Sequence, residues 1–371
     1  MYIIITYASV GAGHFKAANA VFSYLNQHCK NVKVILIDIL DKSNILFRLS
    51  YIYGYIFLVR HAILIWGLGF WLTYLRLLRP FTRLVISIIN RLNTKEFTNF
   101  LIKENPDFVI STHFLPSEIA ARLKTNRQIS SKVISVVTDF CVHPFWISSG
   151  TYMYVVASGY TKEKLIKEGI KEEYIRDVGI PVESKFLEYY DRDLLLSKFG
   201  LSRNKFTVLI VTGSFGIGPI ERIVYSLYKE VQLLVVCANN LRLYKKLKSK
   251  NYPGVKVFGF VDNIQELMAA SDIIITKPGG ISIAESLTMN LWPIFISPIL
   301  GQESENIKAL TYYGLGTYLK DVSYIREVIL DFKNNPDKQK KAKERINSLR
   351  RPFAAREICD VVCQGSSGVT Y

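Results

Sequence analysis

Two doubly wound α/β domains, each a parallel sheet with helices on both faces, are the fold class that this sequence predicts. Three observations lead to it. At 371 residues the chain is longer than one hydrophobic core ordinarily organises. Its apolar runs are continuous rather than alternating, as strands buried on both faces require. The runs also fall into two successive sets, and each run ends in glycine-rich or polar residues ahead of a helix. Open α/β sheets place ligands at that carboxyl edge, so the two domains are expected to face each other across a cleft.

The first set opens with residues 2–8, read as a buried strand because no basic, small-residue leader pattern accompanies them. Ser9-Val10-Gly11-Ala12-Gly13-His14 is the loop that follows, with a helix over 15–27 and a second strand over 32–39. Lys16 leaves a GxGxxG pattern incomplete, which weakens a dinucleotide reading. A lone histidine is commonly structural. The place of His14, at a helix start beyond the first strand, makes it the candidate to meet a ligand.

Residues 42–95 break the pattern. Eight are Lys or Arg, none is acidic, and aromatic and aliphatic residues lie between them. The longest stretch free of Lys and Arg, residues 61–75, is 15 residues, short of the roughly 20 that a spanning helix needs. Cations mixed with Trp and Phe suit a segment lying in a lipid headgroup layer, with Arg60, Trp66, Trp71, Arg76, Arg79 and Arg83 as its contacts. A single-strand nucleic-acid surface is too polar a match for Ile63-Leu64-Ile65-Trp66. A buried helical pair is the other alternative.

Regular α/β resumes with strands over 108–113 and 133–140, the latter ending in Thr138-Asp139, then His143-Pro144-Phe145-Trp146 and a strand over 153–158. The polar stretch 191–203 is expected to be the linker, between a first domain over 1–190 and a second over 204–350. Residues 206–212 start the second set. Gly213-Ser214-Phe215-Gly216-Ile217-Gly218 follows, a candidate phosphate nest ahead of Pro219. Further strands are expected over 231–238, 255–260 and 272–276.

The last of these runs into Lys277-Pro278-Gly279-Gly280, with Ser282 expected at the next helix start and Glu285 a turn inside it. Free N–H groups and the helix dipole would make an anion site there. The plainer alternatives are a tight connection and a solvated Glu285. After a strand over 292–297 come Gln302, Glu303 and Asn306, partners suited to sugar hydroxyls. From Lys333 to Arg356 the chain carries nine basic and two acidic residues, and its last helix, about 352–371, is expected to cross back to the first domain.

The composition adds limits. A formal charge of +16 implies an anionic partner, and 49% hydrophobic residues place the chain at the apolar end of soluble proteins. Five scattered cysteines with no metal-ligand spacing imply reduced thiols and no zinc site.

Taken in order, SVGAGHFKAANA, VVTDFCVHPFWI, GIPV, TGSFGIGPIE, GFVDNIQELMAASDIIITKPGGISIAES and GQESEN resemble the glycosyltransferases that include monogalactosyldiacylglycerol synthases and processive diacylglycerol glucosyltransferases. The resemblance spans nearly the whole chain. It implies a GT-B fold, inversion at the anomeric carbon, UDP-glucose or UDP-galactose as donor, and diacylglycerol or glycosyl-diacylglycerol as acceptor, at the cytoplasmic face of the cell membrane. By the same resemblance His14 is the base, beside Gly13, and Asp139 is a second catalytic candidate that orients or charge-stabilises it; Asp139 and Trp146 lie on the acceptor side. Gly213, Ser214 and Phe215 face the pyrophosphate, Phe260 and Val261 the uracil, and Gly279, Gly280 and Ser282 the phosphate. Glu285 meets the ribose, and Gln302 and Glu303 the sugar. Val10 and Phe215 depart from the family's pattern, which carries smaller residues there. No cofactor or metal is expected, since the only DxD spacing, Asp191-Arg192-Asp193, lies in the presumed linker. Rival readings are a transferase of N-acetylglucosamine to a polyprenyl-linked precursor, a UDP-sugar epimerase, and a basic nucleic-acid-binding protein. The insert disfavours the epimerase, and the two glycine-rich loops disfavour the nucleic-acid binder.

Overall fold

A computed structural model describes residues 1–54, 57–58, 61–75, 77–214 and 216–366. The described chain divides into two compact units, each built on one six-stranded sheet.

The first unit holds residues 1–183, 299–306 and 351 onward. Its strands are β1 (Tyr2–Tyr7), β2 (Lys33–Asp38), β3 (Phe108–Ser111), β4 (Lys132–Val136), β5 (Thr151–Val156) and β6 (Ile175–Asp177), in the spatial order β2-β1-β3-β4-β5-β6. All pairs are parallel, and Ile5 lies between Leu36 and Ile110. The continuous apolar runs have the expected cause, because both faces of the sheet are covered. On one face Ile3, Ile5, Ile110 and Ile134 meet Ala18, Val21 and Leu25 of helix Ala12–His28, together with Ile358 and Val362 of the last helix, Ala354–Ser366. On the other, Ile4 and Val109 meet Phe97, Leu101, Leu115 and Ile119.

The second unit, residues 184–298 and 307–350, carries β7 (Thr207–Val211), β8 (Gln232–Val236), β9 (Val255–Phe258), β10 (Ile273–Thr276), β11 (Trp292–Ile296) and β12 (Thr317–Leu319). Its order, β9-β8-β7-β10-β11-β12, is the doubly wound dinucleotide-type order, reversing direction between β7 and β10. The first sheet reverses between β1 and β3. Each reversal opens a crevice at the carboxyl ends of two neighbouring strands.

Two local expectations are corrected. The stretch 191–203 is not an open linker, since helix Arg192–Lys198 occupies it, Asp191 caps that helix, and Arg192 pairs with Asp272 at 2.8 Å. The helix after β10 starts at Gly280 with Gly279 as its N-cap, so Ser282 lies within its first turn.

The basic insert is not a buried helical pair. Helix Ile63–Tyr74 has no buried residue, with Leu64 76% and Trp71 57% exposed. Helix Arg79–Asn93 is inverted relative to an ordinary surface helix. Its buried residue is polar, Asn90, whereas Phe81, Leu84, Ile88 and Leu92 are exposed. Among the described residues no helix is long and apolar enough to cross a membrane.

Candidate functional site

In the first unit the crevice between β1 and β3 is furnished by His14. Gly11, at φ 81°, turns the chain out of β1 and into helix Ala12–His28, whose first turn carries Gly13 and His14. Nδ1 of His14 lies 2.8 Å from the carbonyl oxygen of Thr112 and 2.9 Å from Oγ1 of Thr138. A carbonyl only accepts, so Nδ1 carries the hydrogen and Nε2 has the free lone pair. Thr112 completes the clasp by donating Oγ1–H to the backbone oxygen of His14 at 2.8 Å. Burial lowers the imidazole pKa to about 4, against a smaller upward pull from the Thr112 carbonyl. His14 is therefore neutral near pH 7, a fixed tautomer with a basic nitrogen to offer.

The sequence reading did not single out His113, the residue after Thr112. It lies edge-on to His14 at 4.6 Å between ring centroids, and its Nδ1 accepts from the backbone N–H of Leu115 at 3.1 Å. Burial, and then the neighbouring His14, hold its pKa well below the usual value. The polar residues that end and follow β3, Ser111-Thr112-His113, are the available signal.

Asp139 follows Thr138, but its carboxylate does not bond His14. It accepts from the side-chain amides of Gln302 and of Asn306, the latter at 2.9 Å, and burial raises its pKa to about 6. Asn306 in turn accepts from the backbone N–H of Phe140 at 2.9 Å. Glu303 accepts from the N–H of Ile299 at 2.7 Å and closes its own loop. The GQESEN stretch thus belongs to the first unit, and two of its side chains fasten the residue next to the His14 clasp.

The second unit assembles the other candidates at the β7/β10 reversal. Beyond Val211, Gly213 (φ 80°), Ser214, Gly216 (φ 55°) and Gly218 lead into helix Ile220–Leu227. Gly216 admits no side chain, since a Cβ would sit 2.2 Å from the carbonyl oxygen of Cys237. Thr276 pairs in register with Val211, so Gly279 and Gly280 stand beside this loop. Ser282 receives the Ser286 hydroxyl on its carbonyl at 2.6 Å, and Glu285 is 4% exposed, which excludes the solvated-helix alternative. Phe260, just past β9, is 64% exposed, with Val261 half-buried beside it. Phe215 lies outside the described residues, as do Arg60 and Arg76 of the insert.

The insert's remaining contacts differ from the expectation. Arg79 pairs with Glu168 at 2.6 Å, and Arg83 donates to the carbonyl of Pro144 at 3.0 Å. Both hold helix Arg79–Asn93 in place, Arg79 with its charge paired to a carboxylate and Arg83 from an exposed position with a neutral carbonyl as acceptor. Trp66 donates its indole N–H to the carbonyl of Leu300 at 3.0 Å, whereas Trp71 remains exposed. Trp146 is 2% exposed and packs with Val137, Val142 and Tyr154, a core position. Among the described residues no group of three His, Cys, Asp or Glu could hold a metal ion.

Comparison with known proteins completes the description. Residues 14–182 match the family described as monogalactosyldiacylglycerol (MGDG) synthase, and residues 207–357 match the glycosyltransferase family 28 C-terminal domain. The processive diacylglycerol beta-glucosyltransferase of Bacillus cereus (strain ATCC 10987 / NRS 248) is 31% identical over 368 residues, covering 97% of this chain and 92% of that one. Its counterpart in Bacillus thuringiensis (strain Al Hakam) is 30% identical over 370 residues, at 98% and 93%. Among solved structures, MurG of Acinetobacter baumannii aligns with TM-score 0.60 at 13% identity, over 98% of this chain and 99% of that one. A UDP-GlcNAc 2-epimerase from Neisseria meningitidis aligns with TM-score 0.62 at 14% identity, over 98% and 100%. These two likenesses establish the GT-B fold and nothing about activity.

Proposed function

The chain belongs to the diacylglycerol glycosyltransferase family and is a glycosyltransferase, and from that premise we propose that it moves a hexose from a UDP-sugar to diacylglycerol, or to glycosyl-diacylglycerol, at the cytoplasmic face of the cell membrane. The observation that carries the reading is His14, with Nδ1–H held by Thr112 and Nε2 left basic. The acceptor hydroxyl gives its proton to Nε2 as its oxygen bonds to the anomeric carbon. The bond from that carbon to the departing phosphate oxygen breaks, UDP leaves with the electron pair, and the configuration inverts. Backbone N–H groups around Gly213, Gly216 and Gly280 receive the developing phosphate charge without need of a metal. Glu285 meets the ribose in this scheme. Gln302 and Asn306, tied to Asp139, position the His14 region rather than hold donor alone.

The outward apolar face of helix Arg79–Asn93 supports the membrane side of the proposal. Covering a Leu or Ile is worth ~1.5–3 kcal/mol per side chain, and Leu84 and Ile88 are both left open. An acyl layer covers them naturally, and anionic lipids answer the charge of +16. The test is transfer to diacylglycerol in vesicles from a panel of UDP-sugars, with products separated by chromatography. Product from UDP-glucose or UDP-galactose is expected, and no lipid product from any donor sinks the proposal. L84Q/I88Q should lose vesicle binding while keeping transfer to short-chain, detergent-dispersed acceptor.

A further inference from the structure

Behind the inverted helix the first unit holds a cavity of about 400 Å³. One wall is the inner face of helix Arg79–Asn93, through Ser87 and Asn90, and the other is helix Phe114–Thr125, through Glu118 and Arg122. The rings of Phe114 and Phe145, 5.8 Å apart between centroids, close one end.

The polar groups here are suited to a ligand rather than to each other. The Ser87 hydroxyl and the Asn126 amide, both on the lining, have no side-chain hydrogen bond among the described residues. The buried amide of Asn90 reaches Glu118 only at 3.5 Å, the outer limit of a hydrogen bond. Glu118 and Arg122 face each other at 3.6 Å, so their charges are mutually compensated, and Arg83 is engaged with Pro144. A phosphate entering the cavity would meet the Arg83 guanidinium, whose charge the neutral Pro144 carbonyl does not offset, but would also confront the Glu118 carboxylate. A neutral, hydroxyl-rich ring finds donors and acceptors on two sides and aromatic faces at the end.

Leu84 and Ile88 stand on the opposite face of the same helix. A lipid whose chains share the layer that covers them brings its headgroup to this cavity.

We propose that the cavity holds the sugar headgroup of a glycosyl-diacylglycerol at a subsite separate from the reaction centre, from which the His113 and Phe114 rings part it. The inference rests on the function proposed above, since it takes that reaction's product as the ligand. Held there, the glycolipid keeps the enzyme on membrane that already carries its product.

The test is co-sedimentation of the full chain with phosphatidylcholine vesicles containing diacylglycerol, glucosyl-diacylglycerol or phosphatidylglycerol. The parent should bind the glucosyl-diacylglycerol vesicles about tenfold better than the diacylglycerol ones, on the scale of one or two hydrogen bonds. E118Q should abolish that preference while leaving binding to diacylglycerol vesicles and transfer to detergent-dispersed diacylglycerol unchanged. N126A, at an exposed position, should halve the preference or more and serves as the deciding variant if E118Q melts early. A parent without preference, or variants that keep it, overturns the subsite. So does a preference confined to phosphatidylglycerol that E118Q strengthens, which would mark a phosphate pocket. Vesicle preference is read without turnover, so a failed transfer assay would sink the proposed function while this measurement judges the cavity on its own.

Discussion

Each sheet has a glycine-rich loop at its point of reversal, and the two loops are built for different chemistry. The loop after β1 uses Gly11, at φ 81°, to set a helix whose third residue is a histidine clasped by Thr112 and Thr138. The loop after β7 has no titratable residue from Thr212 to Pro219, and its glycines bring bare backbone to the crevice. The first loop offers one basic nitrogen, whereas the second offers backbone N–H groups and no titratable side chain. In the function proposed above, the same topological position serves proton transfer in one unit and anion binding in the other.

The largest expected effect separates these roles most sharply. H14A should lower transfer by about 10²–10⁴-fold, the usual worth of a general base, while calorimetry finds the UDP affinity unchanged. If affinity and rate fall together, the division of labour is wrong. Next comes G216A, which must put a Cβ against the Cys237 carbonyl at a φ of 55°. A loss of about 1–3 kcal/mol in stability is expected, with weakened UDP binding, whereas G11A meets no atom within 4 Å and should cost about 1 kcal/mol. Equal melting curves for the two variants would erase the contrast. E285A should weaken UDP binding by about 1–3 kcal/mol without changing the pH profile of transfer.

The smallest effect is titration. His14 has a folded pKa of about 4 against an ordinary 6.5, so the unfolded chain takes up the proton first. Its contribution to stability is complete above pH 6.5 and is lost as the pH falls toward 4. His113 shifts in the same direction. The melting temperature should therefore decline over that window. The basic form of His14 predominates until the pH nears 4, so kcat/KM should show no acid limb near pH 6.5 from this residue. An inflection at 6.5 that H14A removes would show an exposed, ordinary imidazole.

Much of this was legible in the sequence, for identifiable reasons. Strands such as Ile3-Ile4-Ile5 and Ile273-Ile274-Ile275 are continuous because both faces are covered, and the glycine loops sit where the chain must turn sharply. His14 was marked by its place after the first strand. What escaped depends on residues far apart in the chain. Nothing near Asp139 announces Gln302 or Asn306, and nothing near Arg79 announces Glu168. The amphipathic pattern of 79–93 shows two faces without telling which is buried; the acid-free run of cations favours an outward apolar face, and the buried Asn90 agrees with it.

The bond between Asp139 and Asn306 also bears on how the molecule can be taken apart. Residues 299–306 lie between β11 and β12 of the second sheet, yet they pack with the first unit. An exchange of C-terminal halves between relatives would import a new pair at 302 and 306 while leaving the resident Asp139 behind. Such a hybrid inherits a mismatched fastening next to Thr138 unless the three positions travel together. The natural border for recombination is therefore discontinuous, and a single crossover cannot follow it.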